Sequence, residues 1–191
     1  MLDIVLKRKS LAFRLSVKSA VSLFLVVLAV ALPQIAHLAG GASAGAVWMP
    51  MYAPALLAGC LLGWQWGLGV GILSPVISFG FTSLALGTPM PDLTRLPYMI
   101  LELATFGGVS GAFAKLIKKN SLFSFPAVIC AQVSGRAIYL IYNLIAGRTF
   151  TALWSSVQTG LVGLYLQAAL VPVIVMLLSI LLKSERGQEN E

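Results

Sequence analysis

Long apolar runs, separated by short breaks rich in glycine, proline or basic residues, dominate this chain; the first extends from Ala20 to Ala36 without a charge. Such runs cannot fold into a water-soluble globule, because the chain supplies too little polar surface to cover them. Of its 191 residues 59% are hydrophobic and 10% charged, against about 25% charged in a typical soluble domain. A bilayer is the remaining solvent. Six spans of about 20 residues use roughly 120 positions, which leaves no room for a soluble catalytic domain.

The runs predict an all-α integral membrane protein, a single domain over residues 1–191 with spans at about 12–36, 47–63, 67–86, 96–116, 125–145 and 154–182. A basic segment (Lys7, Arg8, Lys9, Arg14, Lys18) precedes the first run, as it would in a signal peptide. The run is long for a secretory core and further spans follow, so a retained span is expected. His37 to Ala46 reads as a Gly/Ala/Ser-rich loop, and Trp64-Gln65-Trp66 as a short interfacial turn. Gly87-Thr88-Pro89-Met90-Pro91-Asp92 is a loop, and Gly147-Arg148 closes the fifth span. Pro50 and Pro54 fall in the first turns of the second span, and Pro75 should kink the third. The polar tail Glu185–Glu191 is expected to be disordered.

The basic residues report topology before anything else. With the N-terminus inside, ten Lys and Arg lie in inside segments (7, 8, 9, 14, 18, 115, 118, 119, 183 and 186), while the outside loops hold only Arg95 and Arg148. Both termini are therefore expected in the cytoplasm, and the net charge of +7 needs no nucleic-acid partner. Arg136, the thirteenth, lies within a span.

An arginine in mid-span costs at least about 2.5–3.5 kcal/mol on insertion scales and faces the bundle interior. Gln132, Arg136, Tyr139 and Asn143 follow one another at four, three and four residues, which gathers them into one polar stripe on the fifth span. Glu102 is the one acid well inside a span. It either pairs with Arg136 for architecture or contacts a polar solute, and the residues alone leave both open. Gln158 and Gln167, nine residues apart, point to opposite faces of the sixth span, with Tyr165 on the face of Gln158. Trp154 and Tyr52 are each a pocket wall or an interfacial aromatic. Small residues recur every fourth position at Ala12, Ser16 and Ala20, at Ala55, Gly59 and Gly63, and at Gly67 and Gly71. That spacing lets helix backbones approach closely in lipid, either within the bundle or against a partner.

Enzyme chemistry finds little support. Gly108-Val109-Ser110-Gly111 resembles the nucleophile motif of rhomboid proteases, but a serine nucleophile needs a base, and the sole histidine, His37, lies in an outer loop. There is no Walker A sequence. Cys60 and Cys130 have neither disulfide-framework nor metal-ligand spacing. No metal or cofactor site is expected.

The order Trp48-Met-Pro-Met-Tyr-Ala-Pro-Ala-Leu-Leu-Ala-Gly, Gly63-Trp-Gln-Trp-Gly-Leu-Gly-Val-Gly-Ile-Leu-Ser-Pro, Gly87-Thr-Pro-Met-Pro and Glu102-Leu-Ala-Thr-Phe-Gly-Gly-Val-Ser-Gly resembles the substrate-binding S components of energy-coupling factor (ECF) transporters. The resemblance covers about residues 10–182 and is most specific between His37 and Gly111. It implies a multi-pass subunit of a bacterial or archaeal cytoplasmic membrane that captures a water-soluble vitamin or related micronutrient at its outer face. It also implies a transmembrane T component and two cytoplasmic ATPases as partners, with ATP hydrolysis toppling the subunit to release substrate inside. The resemblance places substrate binding on the outer loops and helices 4 to 6, which makes the polar and aromatic positions Glu102, Gln132, Arg136, Tyr139, Asn143, Gln158, Tyr52 and Trp154 the candidate substrate-binding residues. The resemblance places T-component docking at an AxxxA motif on helix 1, where this chain has Ser16-Val-Lys-Ser-Ala20, and the small-residue spacing adds Ala12, Gly59 and Gly63 as docking candidates. A different class also fits the spans: a stand-alone six-helix secondary transporter or channel for a small polar solute.

Overall fold

The computed structural model describes residues 10–85 and 87–188, with side chains except at 42, 43 and 183–188. Every regular element among them is helical: α1 Leu11–Trp48, α2 Tyr52–Leu62, α3 Trp64–Ala85, α4 Leu96–Ala112, α5 Ala114–Lys119, a single 3-10 turn Ser121–Phe123, α6 Ser124–Ile145 and α7 Phe150–Gln188. Five stretches are long and apolar enough to cross a membrane: Leu11–Gly41, Ala44–Leu62, Trp64–Ala85, Ser121–Ile145 and Phe150–Leu182. The 17-residue α4 covers only about 25 Å at 1.5 Å per residue.

Packing arranges α1, α3, α4, α6 and α7 as a ring in which each touches the next, with α2 inside, in contact with all five. This follows from composition. α2 reads YAPALLAGCLL, apolar on every side, and all of it except Ala53 is buried; a helix without a polar face belongs in a core. Its contacts with α3 and α4 run through glycine. A Cβ on Gly59 would meet Ser110 and the Gly107 carbonyl, one on Gly67 the Gly107 carbonyl, and one on Gly111 the backbone of Gly63 and Trp64. In lipid, where hydrophobic burial does not drive helices together, such backbone approach supplies the packing.

The structure revises several boundaries. The loop expected at 37–46 is helical, broken at Gly41 alone (φ 71°, ψ −173°), because alanine favours helix strongly and one glycine in the left-handed region suffices for the bend. The second span is not one helix from 47. Met49 adopts φ 45° and Pro50 follows, so the helix stops at Trp48 and restarts at Tyr52. Trp64 begins α3, and the turn shrinks to Gly63 at φ 103°. The fourth span ends at Ala112, with Phe113 linking to α5, and the last helix begins at Phe150 rather than Trp154. α7 continues to Gln188, through part of the tail expected to be disordered. Leu86, the expected end of the third span, and Lys7, Arg8 and Lys9 lie outside the described residues.

Candidate functional site

The central helix is too short to fill the ring. Eleven residues make about 16 Å of helix, roughly half the ~30 Å of a hydrocarbon core. Beyond its N-terminus lies a cavity of about 660 Å³, lined by α1 (Pro33, His37, Gly45, Ala46), the Met49–Tyr52 break, the Pro89–Asp92 loop, Arg95, Tyr98, Met99 and Glu102 of α4, Arg136 and Tyr139 of α6, Arg148, and Leu153, Ser156 and Thr159 of α7. That volume lies within the usual range for small-molecule sites, about 300–1,000 Å³.

At the buried end stands the pair anticipated as one alternative. Arg136 Nη1 lies 3.2 Å from Glu102 Oε1, and Glu102 is fully buried. The Tyr52 hydroxyl donates to Glu102 Oε2 at 2.7 Å, and Arg136 Nη2 donates to the Met49 sulfur. The Tyr52 and Tyr139 rings lie 5.6 and 5.5 Å from the guanidinium carbon, within cation–π range. Glycines make this meeting possible. A Cβ on Gly135 would run into the Phe106 ring, and one on Gly160 into Met49, so α6 and α7 come close enough to seat Arg136 against α4 and the break. Two atoms keep unused capacity: Arg136 Nε has no hydrogen-bond partner, and Glu102 Oε1 has only the ion-pair contact, which is not aligned as a hydrogen bond.

All four members of the α6 stripe are buried, with tasks that differ. Arg136 and Tyr139 line the cavity. Gln132 donates to the Leu164 carbonyl at 2.9 Å and so ties α6 to α7, whereas Asn143 donates to the Tyr139 carbonyl of its own helix at 2.8 Å. Tyr139 donates to Ser156 at 3.1 Å and stands edge-on to Tyr98, with ring centroids 5.3 Å apart. Of Gln158 and Gln167 it is Gln167 that turns inward. Its Nε2 donates to the carbonyls of Met49 (2.8 Å) and Trp48 (3.3 Å), satisfying backbone left open where the helix breaks. Gln158, Tyr165 and Trp154 lie on exposed positions away from the cavity, and Trp154 stacks on Phe150.

The loop before α4 borders the other end, which is open to solvent. Met90 is held to α3 on both sides of its peptide: its N–H donates to Thr82 Oγ1 at 2.7 Å, and its carbonyl accepts from Ser78 at 2.8 Å and Thr82 at 3.1 Å. Pro89, Pro91 and Asp92 on either side of it face the cavity.

The small-residue positions separate. Ala12, Ser16 and Ala20 are exposed on α1. Gly59 is enclosed by α3 and α4, and Gly63 forms the α2–α3 turn, so these two glycines serve packing and a turn within the bundle. Ser110 is buried, within hydrogen-bond distance of the Leu56 and Gly107 carbonyls. Met49, Tyr98, Arg95 and Arg148 joined the site without having been singled out. For the two arginines a signal existed, since they are the basic residues that depart from the inside bias. Met49 gave none, because its role comes from backbone that unwinds at Pro50.

Comparison with known proteins finds no matching family model, no matching curated protein and no matching solved structure.

Proposed function

We propose that the chain is the membrane-embedded solute-binding subunit of an ECF-type importer, taking up a water-soluble vitamin or related micronutrient and lacking an ATPase of its own. The observation that carries this reading is a charged pair, Arg136–Glu102, at the inner end of a cavity of about 660 Å³. Intramembrane charge marks a substrate pathway by default, and here it is pre-positioned by aromatic rings and by an interrupted helix. Helices broken at mid-membrane are a recurrent way of building solute sites, because open backbone is tolerated only where it meets protein or a cavity.

On this reading α4 counts as the sixth span, both termini are cytoplasmic, and the cavity faces outward in a bacterial or archaeal cytoplasmic membrane. The exposed stripe Ala12–Ser16–Ala20 sits about 20 Å along α1 from Pro33, the first cavity residue. A T component with its two ATPases would dock there, remote from the ligand. Tyr52, Glu102, Arg136 and Tyr139 would contact the solute, with Gln132 tying α6, which carries two of them, to α7.

The test is a thermal-shift and native mass-spectrometry screen of the purified protein against water-soluble vitamins, with co-purification of T component and ATPases. A saturable ligand and a stable complex are expected. Uptake into vesicles lacking any ATPase would instead favour a stand-alone transporter.

A further inference from the structure

Three of the thirteen basic residues do not belong to the expected inside set: Arg95, Arg136 and Arg148. All three line the same cavity. The two that depart from the inside bias thus converge in space with the one buried in a span, although they come from three separate parts of the chain.

Their surroundings differ with depth. At the inner end Glu102 offsets Arg136, so the buried end is electrically balanced and keeps one unpartnered donor, Arg136 Nε, and one unpartnered acceptor, Glu102 Oε1. At the exposed end Arg95 and Arg148 face a single carboxylate, Asp92, which accepts from Thr94 at 2.9 Å. Neither arginine is within ion-pair distance of a carboxylate among the described residues. Arg148 lies over the Tyr98 ring at 6.0 Å, and Arg95 is three residues before Tyr98, one helical turn away. His37 is the remaining titratable lining group beside the tyrosines.

We infer that the cavity selects a solute carrying an acidic group, a carboxylate or phosphate held between Arg95 and Arg148 at the rim, with an uncharged polar part toward the balanced Arg136–Glu102 end. The inference rests on the solute-binding reading and narrows it to anions. Guanidinium suits such groups because its planar fork matches two oxygens at once. Rim arginines exposed to water also attract anions before contact, an effect that weakens with salt.

The test uses the full chain in phosphatidylcholine nanodiscs, with affinities measured for matched acid and neutral probes: biotin and biotinamide, pantothenate and panthenol, nicotinate and nicotinamide, with riboflavin and thiamine added. One acid should bind at least about tenfold tighter than its neutral counterpart. Arg95→Gln/Arg148→Gln should remove that preference, leave the melting temperature without ligand unchanged, and abolish the salt dependence. Tightest binding of riboflavin, thiamine or a neutral member overturns the inference while leaving the solute-binding reading intact. Binding of no probe overturns both. Repetition in phosphatidylglycerol nanodiscs separates a lipid source. If the double substitution lowers lipid retention but not acid binding, the rim holds headgroup phosphate and the solute inference fails.

Discussion

Arg136 has a carboxylate, a sulfur and two aromatic faces around it, and Glu102 has a tyrosine hydroxyl besides the guanidinium. Each charge is tolerable only because the other is present. Removing one member of a buried pair strands its partner, at a cost of about 3–5 kcal/mol, whereas replacing both can be close to neutral. Arg136→Met and Glu102→Gln should therefore each destabilise strongly, and Arg136→Met/Glu102→Gln should be more stable than either, with a coupling of about 1–3 kcal/mol. Unfolding in mixed micelles with increasing dodecyl sulfate measures this, and strict additivity would mean that the two do not act as a pair. The stripe that includes Arg136 was legible because 3.6-residue periodicity fixes which side chains share a face. Its division of labour was not. Whether Gln132 meets a solute or the Leu164 carbonyl depends on where another helix lies, which no local pattern records. The same limit hid Tyr98 and Met49.

At the scale of elements, glycine decides how α3 and α4 cross. A Cβ on Gly107 would overlap the carbonyl of Gly67, a backbone group that no rotamer change can move, whereas a Cβ on Gly69 or Gly80 of α3 meets nothing within 4 Å. Gly107→Ala should cost about 1–3 kcal/mol, the usual range for overpacking a filled contact. Gly69→Ala and Gly80→Ala should be neutral or stabilising by up to about 1 kcal/mol, since alanine has the higher helix propensity. Melting curves of the three variants compare them directly, and equal loss in all three would refute a backbone contact at Gly107. The periodic small residues were visible in sequence, and so were most apolar stretches. Harder to see were the breaks. Pro75, expected to kink its span, and Pro33, near the expected end of the first, lie inside helices, while Gly41 and Met49, which take positive φ, are where the chain turns. Proline removes one intrahelical hydrogen bond that a packed neighbourhood can spare, whereas a left-handed residue turns the chain.

For the whole molecule, the cavity is a consequence of length. A ring of helices surrounds a core helix half as long as the membrane is thick, and the unfilled half becomes the site. The filled half matters equally, because Leu56, Cys60 and Phe106 are fully buried there around a helix with no polar face. In the proposed importer a solute at Arg136 would thus meet packed apolar side chains on the far side, an arrangement better suited to a binder than to a conducting pore. Capture from outside also requires the orientation that the Lys and Arg bias predicts, with the 87–95 loop outside and the α5–α6 connection inside. In a Cys60→Ala/Cys130→Ala background, a cysteine at Leu93 should react with a membrane-impermeant maleimide in intact cells. One at Asn120 should react only after permeabilisation. Both positions are exposed in the structure, so burial does not bias the result. The reverse pattern would put the cavity on the cytoplasmic side and exclude capture from outside, whatever ligand it holds.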